Sequence, residues 1–218
     1  MLRCLLCTAM LFIAAFSGQP CQAQTPVPHW TPAQVERLIA WLDFSRADAL
    51  SIAASEVPKL REAQSAGDSA RVDSIATGAA IKLLEGFYEG CCDASLKTGW
   101  HIDGDRPKTD PHSLVSEAVA RNRLDELFIA AEPHHPYYRA MRRATLAANM
   151  DRWRWMPRNL GRRYLLVNTA SFEAMLWQDG KLAGRWAVIV GKTKSPTPVF
   201  AAKVAGVILN PWWEIPSS

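Results

Sequence analysis

Asn149-Met150-Asp151-Arg152-Trp153-Arg154-Trp155-Met156-Pro157 divides the chain into two halves with different hydrophobic periods. From Thr31 to about Met150, apolar residues recur at the spacing of amphipathic helices. Beyond Pro157 they alternate with polar residues, as in half-buried β-strands. The sequence therefore predicts an α+β fold, in which an irregular helical domain precedes a β-rich domain.

The helical half carries clear start signals. Thr31-Pro32-Ala33-Gln34 is a capping box with proline at the first helical position. Ser69 begins a helix that we expect to end near Gly90, and Asp110-Pro111 begins another by the same cap logic. A further, kinked helix is predicted from about Ala47 to Gln64, and Pro136 is predicted to open the last helix.

Four strands are predicted in the second half. The first is Tyr164 to Asn168, and the last is Val204 to Leu209. Between them, Phe172 to Gln178 and Lys181 to Val190 are joined by Asp179-Gly180, the dipeptide that a two-residue type I′ hairpin turn favours. Four short strands leave apolar faces uncovered and an edge unpaired, so we expect this domain to be incomplete at its C-terminus.

Residues 1–23 follow the order of a secretory signal. Arg3 precedes an apolar run from Leu5 to Phe16, and Cys21-Gln22-Ala23 supplies a cleavage site after Ala23. The apolar run is shorter than the about 20 residues that a membrane-spanning helix needs. We therefore expect export, with no membrane span after the signal is removed. In an alternative interpretation Cys21 accepts a lipid, but Gly18-Gln19-Pro20 is a poor match to a lipobox.

Only Cys91 and Cys92 would remain after removal of the signal. Two adjacent cysteines do not make a disulfide scaffold, so the stability of the chain must come from an apolar core. A content of 49% hydrophobic residues is compatible with that requirement. The net charge of +4 is too small to indicate nucleic acid as a partner.

Three motifs follow one another in the chain: Asn149–Pro157, then Val188–Lys192 leading to Pro196–Phe200, and finally Asn210–Pro216. In this order they resemble the start of the catalytic domain in scaffold-bearing periplasmic L,D-transpeptidases. Gly99–Asp103 and Pro133–Tyr138 similarly resemble pieces of the scaffold domain of that family. The resemblance implies a periplasmic protein with a scaffold domain over residues 30–148 and the first part of a catalytic domain over residues 149–218.

Members of this family cross-link peptidoglycan and shape the cell wall. The resemblance implies a cysteine thiolate that attacks a donor tetrapeptide stem, forms a thioester and passes the acyl group to an acceptor amine. A histidine activates the sulfur, and the two residues lie in H-G-T and S-H-G-C-x-R stretches of the family. Neither stretch occurs in these residues, and we expect both to lie beyond Ser218. The sequence thus predicts no catalytic residue here and an inactive fragment.

The resemblance also implies a set of positions near the substrate cleft, although core or turn roles are an equally open interpretation of them. These positions are Thr197, Pro198, Phe200, Asn210 and Trp212. The expected partners are the peptide stems of peptidoglycan. The sequence contains no phosphate loop or dinucleotide fingerprint, and no cofactor is predicted. The alternative function is a non-catalytic envelope module that binds peptidoglycan or a protein partner.

The remaining cysteines and histidines give weak signals. Cys91 and Cys92 follow the predicted end of a helix, where the helix dipole disfavours a thiolate, so burial is favoured over a vicinal disulfide or catalysis. His101 and His112 are the nearest histidines in sequence, and no pattern places them beside the sulfur. The adjacent pair His134-His135 cannot easily share one metal ion, so no metal site is predicted.

An arginine cluster extends from Arg139 to Arg163, with eight arginines and a single acid, Asp151. Trp153 and Trp155 lie within it. The cluster could bind the carboxylates of peptide stems. The alternative is that Arg152 and Arg154 form salt bridges between the domains while the two tryptophans pack their junction.

Overall fold

The computed structural model of the protein describes residues 26–90, 97–144, 147–209 and 212. A helical unit comes first, with the seven helices of the described ranges in chain order: α1 (Pro32–Phe44), α2 (Ile52–Ser65), α3 (Ser69–Glu89), α4 (Pro111–Ala120), α5 (Leu124–Ala131), α6 (Pro136–Ala144) and α7 (Ala147–Arg154). A β unit follows, and the predicted α+β fold is confirmed. The predicted signal at residues 1–23 lies outside the described residues.

Two of the predicted helix starts are confirmed by their caps. The Thr31 hydroxyl accepts a hydrogen bond from the backbone N–H of Gln34, and the Gln34 side chain accepts one from the backbone N–H of Thr31. At α4 the Asp110 carboxylate accepts from the backbone N–H of Ser113 at 3.0 Å. Each cap supplies a partner for amides that the helix itself leaves unpaired.

Two helix boundaries differ from the prediction. A short 3-10 helix over Ser45–Asp48 and a left-handed residue, Ala49, precede α2, which therefore begins at Ile52 and not near Ala47. The left-handed conformation breaks the regular helical path, although apolar spacing continues through it. The helix that begins at Pro136 is not the last one, because α7 follows it.

The apolar core lies around α3. Ala76, Ala79, Leu83 and Phe87 on this helix are fully buried, and α2 and α4 pack against it. The start of α2 and the residues just before it pack closely at Gly86, where an added Cβ would lie 3.2 Å from the Leu50 side chain and 3.3 Å from that of Ile52. None of the helices in the described part of the chain is long and apolar enough to cross a membrane.

The β unit contains an antiparallel sheet of β2 (Arg163–Asn168), β3 (Glu173–Gln178) and β4 (Lys181–Ala187) in that order. Asp179 and Gly180, with φ of 50° and 74°, form the two-residue turn between β3 and β4, as predicted. Tyr164 pairs with Trp177 across β2 and β3. This pairing turns one face of the sheet toward the helical unit.

The predicted fourth strand, Val204 to Leu209, is wrong. No strand is assigned there, and Val204 and Leu209 are 79% and 84% exposed. A strand requires a hydrogen-bonded neighbour, and none of the described residues supplies one. Instead, the short β1 (Trp100–His101) pairs in parallel with β5 (Val199–Phe200), which ties the loop after α3 to the β unit.

Candidate functional site

A buried polar network under α7 lies at the end of the helical unit, next to the β unit. Asp48, which is completely buried, accepts hydrogen bonds from the Tyr138 hydroxyl at 2.8 Å and from the Arg142 guanidinium at 2.7 Å. The Arg154 guanidinium donates to the backbone carbonyl of Asp48 and pairs with the Asp151 carboxylate. Because buried charges are costly unless paired, this network holds α6 and α7 in one position on the helical unit.

Arg158, in the segment just beyond α7, contacts four backbone carbonyls near this network. Its guanidinium donates to the backbone carbonyls of Phe87 (2.8 Å), Ala131 (3.0 Å), Arg154 (2.9 Å) and Met156 (3.1 Å). Three of these carbonyls belong to the last turns of α3, α5 and α7. The last carbonyls of a helix have no partner within it, and a cation there also interacts favourably with the helix dipole. Arg158 therefore joins three helix ends.

Part of the arginine cluster is structural. Arg154 and Arg158 are bonded inside the helical unit, as is Arg142. Arg152 is exposed and donates to the Asn149 side chain at 2.8 Å, and Arg154 pairs with Asp151 of its own helix. Within the described ranges, neither forms the predicted salt bridge between domains. An arginine cluster in a sequence shows charge but not which guanidinium groups are already bonded to backbone oxygen.

The two tryptophans of this segment pack the junction, as the alternative interpretation predicted. Trp155 is 5% exposed, and its indole N–H donates to the Glu89 carbonyl at 2.8 Å. Its ring meets Trp100 edge to face, with centroids 5.4 Å apart. Trp153 stacks on the ring of His135, with centroids 4.1 Å apart. The first tryptophan anchors α7, and the second forms a wall of the cleft described next.

A cleft of about 220 Å³ opens at this junction, and we call it the junction cleft. It lies between the loop before α6, the turn after α7 and the start of the sheet. Its main lining residues are Pro133, His134, His135, Trp153, Asn159 and Tyr164. Arg158 also borders it, but its donors are directed to the four carbonyls described above. The cleft therefore combines aromatic walls with several polar groups.

His135 is the central polar group of the junction cleft. Its Nδ1 accepts a hydrogen bond from the backbone N–H of Tyr137 at 3.1 Å, and its Nε2 lies 3.0 Å from the Tyr164 hydroxyl. Burial lowers the pKa of His135 from 6.5 to about 4, so the ring is neutral at neutral pH. Since Nδ1 is an acceptor, the ring proton is on Nε2 and points to the Tyr164 oxygen.

Tyr164 stays protonated in this setting. Burial raises the pKa of its hydroxyl above the ordinary value. Its ring lies parallel to the Trp177 ring, with centroids 6.2 Å apart. Because the oxygen accepts from His135, the hydroxyl proton can be donated to a different group, and none of the described residues accepts it.

The four predicted substrate-binding residues that the structure describes do not line the junction cleft. The Thr197 hydroxyl accepts from the backbone N–H of Gly191 at 2.7 Å, which closes a loop. Pro198 follows it and is exposed, and Phe200, in β5, is 60% exposed. Trp212 is 97% exposed. Asn210 lies outside the described residues, so the structure brings only residues 197 to 200 together, on one loop and the strand after it.

The cysteines that the sequence raised as possible nucleophiles, Cys91 and Cys92, lie outside the described residues. Neither Trp153 nor Tyr164 is identifiable from the sequence as a cleft residue, because the His135–Tyr164 contact spans 29 positions. The available local signal is the run Pro133–Tyr138, which concentrates two histidines and two tyrosines beside a helix start.

Two family models match the chain. The model of the scaffold domain matches residues 22–144, more than half of the chain, and the model of the L,D-transpeptidase catalytic domain of the YkuD type matches residues 162–218. Searches of curated proteins and of solved structures gave no match. The order of the two matches is the order in which the helical and β units occur. The chain therefore belongs to the family of L,D-transpeptidases that carry a scaffold domain.

Proposed function

We propose that this chain supplies the scaffold and the first strands of a peptidoglycan L,D-transpeptidase, and that residues 1–218 do not by themselves transfer acyl groups. The observation that carries the proposal is the scaffold match followed by the catalytic-domain match, in a sequence that contains neither H-G-T nor S-H-G-C. Without an activated thiol beside an imidazole, the family's thioester cannot form.

The proposal includes the location and the domain division. We propose export to the periplasm through residues 1–23, a scaffold domain over residues 30–148 and catalytic-domain sequence from residue 149 onward. Helix α7 would then join the two domains while it packs on the first. We further propose that Thr197, Pro198, Phe200, Asn210 and Trp212 contact the donor stem, a role supported by the resemblance of their motifs to those of the family.

An acyl-transfer assay tests the proposal. The purified chain is incubated with disaccharide-tetrapeptide donor, and mass spectrometry is used to detect a protein thioester and cross-linked dimers. We expect neither product, whereas an active family member with both catalytic motifs forms them under the same conditions. Cross-linked product that disappears in Cys91→Ala or Cys92→Ala would refute the proposal.

A second candidate function is a non-catalytic module that binds peptidoglycan. It is favoured by the exposed arginines in the described part of the cluster, which are Arg139, Arg152, Arg162 and Arg163. Exposed guanidinium groups can pair with the carboxylates of peptide stems. Sedimentation with purified sacculi at low salt should retain the chain, and Arg162→Glu together with Arg163→Glu should reduce retention. Chain that stays in the supernatant at low salt would exclude this function.

A further inference from the structure

The junction cleft has a size and shape that limit its ligand. Its volume of about 220 Å³ is below the about 300 Å³ at which sites for drug-sized ligands begin. Trp153 and Tyr164 supply flat aromatic walls. Such a cleft accommodates one ring-sized group and not an extended peptide.

The charge of the junction cleft limits the ligand further. His135 is neutral, and the four hydrogen bonds of Arg158 direct its donors to backbone carbonyls. None of the lining residues carries a carboxylate, and His134, which is exposed, is the other lining side chain that can be protonated. Apart from Arg158, the polar groups inside the cleft are therefore uncharged, and they suit a neutral molecule better than an ion that must be desolvated there.

The polar groups of the junction cleft are donors. The Tyr164 hydroxyl accepts the Nε2 proton of His135 and therefore has its own proton to donate. Asn159 accepts from the backbone N–H of Gly161 at 2.8 Å through its side-chain oxygen, which leaves its amide N–H groups available. Two donors beside aromatic walls match a neutral ring that carries an acceptor oxygen.

We propose that the junction cleft binds a neutral sugar ring, with Trp153 as the wall for the ring and the Tyr164 hydroxyl as the donor to an acetamido or hydroxyl oxygen. The amphipathic character of a pyranose ring, apolar on its C–H face and polar at its edge, suits this combination of groups. The site would contact the glycan of peptidoglycan and not its peptide stems. The choice of an N-acetylated sugar rests on the proposed function, but binding does not require acyl transfer.

The test is a titration of the purified chain with N,N′-diacetylchitobiose, followed through the indole N–H signals in ¹H–¹⁵N spectra. The Trp153 signal is assigned by its loss in Trp153→Phe. We expect a saturable shift of that signal with weak, millimolar affinity. Cellobiose, which lacks the acetamido group, should bind more weakly, and a stem tetrapeptide should not saturate the same signal.

Tyr164→Phe removes the donor and keeps the aromatic wall, so it should weaken binding by roughly tenfold, the usual effect of one lost hydrogen bond. Tyr137→Phe is the matched control, because that hydroxyl contacts Met175 and not the cleft. It should bind the sugar as the parent chain does. Thermal melting confirms that both variants are folded.

The proposal is overturned if the chitobiose signal does not saturate, if Tyr164→Phe binds as tightly as the parent chain, or if the tetrapeptide competes better than the sugar. These results are separable from the function proposed above. Absence of acyl transfer leaves sugar binding unaffected, and sacculi that retain the chain through its arginines would still do so with an empty junction cleft.

Discussion

Arg158 shows how a single side chain can hold three helix ends together. Its donors reach carbonyls at the ends of α3, α5 and α7, and its ring neighbour Tyr88 lies 5.0 Å from the guanidinium. Burial lowers the pKa of Arg158, which reflects the cost of placing a cation there. The hydrogen bonds to otherwise unpaired carbonyls offset that cost.

Replacing Arg158 with methionine should destabilise the chain by about 2–4 kcal/mol, because the buried carbonyls lose their donor. Urea denaturation monitored by circular dichroism measures the change. Arg162→Met is the matched control, since Arg162 is 90% exposed and pairs only with Asp179 at the surface. Its effect should stay within about 0.5 kcal/mol, and equal losses in both variants would contradict the assigned role.

His135 predicts a dependence of stability on pH. Its folded-state pKa of about 4 lies below the unfolded value of 6.5, so between these pH values the unfolded chain binds a proton that the folded chain does not. Stability contributed by the neutral ring is therefore complete above pH 6.5 and falls as the pH is lowered toward 4. Allowing for partial exposure, the loss should be about 1–2 kcal/mol.

Unfolding free energies measured across that range give the slope, and His135→Gln should flatten it. Carboxylates such as Asp125, whose pKa is lowered by Arg37, lose their contribution at lower pH and act equally in both chains. Identical slopes for the parent chain and the variant would show that the ring is not held neutral by its surroundings.

Secondary-structure elements form as the sequence predicts where the residues that determine them lie within one short segment. The hairpin between β3 and β4 turns at Asp179 and Gly180, both with positive φ, and its register pairs Gln178 with Lys181. At Gly184, by contrast, an added Cβ would lie 2.4 Å from the Trp186 ring. That glycine lets the indole fold over the strand, a requirement that the turn chemistry does not reveal.

Two glycine substitutions should change stability in opposite directions. Gly180→Ala places a side chain at φ 74° and should cost about 1–2 kcal/mol. Gly78→Ala lies inside α3, where an added Cβ meets nothing within 4 Å, and should stabilise by about 0.5–1 kcal/mol. Thermal denaturation of both variants tests the signs. A stabilising Gly180→Ala would contradict the turn geometry.

At the scale of the whole molecule, the helical unit is well covered and the β unit is not. Val167, Ala174 and Trp186 lie across from one another on the sheet face opposite Tyr164 and Trp177. Val167 and Trp186 are 47% and 52% exposed. The segment from Val204 to Leu209 adds further exposed apolar side chains. Apolar surface of this extent favours association.

The purified chain of 218 residues should therefore associate reversibly as its concentration rises. Ile208→Lys, in the exposed apolar segment, should reduce this association because it adds a charge where Ile208 is 79% exposed. Thr169→Lys adds the same charge in an exposed turn and serves as the control. Sedimentation velocity measures both, and equal effects of the two variants would contradict a specific role for the segment.

The sequence by itself determined the features whose physical cause is local. The caps at Thr31 and Asp110, the turn at Asp179-Gly180 and the change of hydrophobic period after Pro157 each depend on residues a few positions apart. The family motifs are also short continuous segments, so they can be recognised in the sequence.

Only the tertiary structure decided the rest. The bonds of Arg158 to three helix ends and the contact of His135 with Tyr164 join residues from 4 to 71 positions apart, and no local pattern encodes which donor meets which acceptor. Val204 to Leu209 has the composition of a strand and does not form one, since a strand depends on a partner for its hydrogen bonds. Contacts between residues far apart in the sequence form only in the folded chain, and they determine where the junction cleft lies.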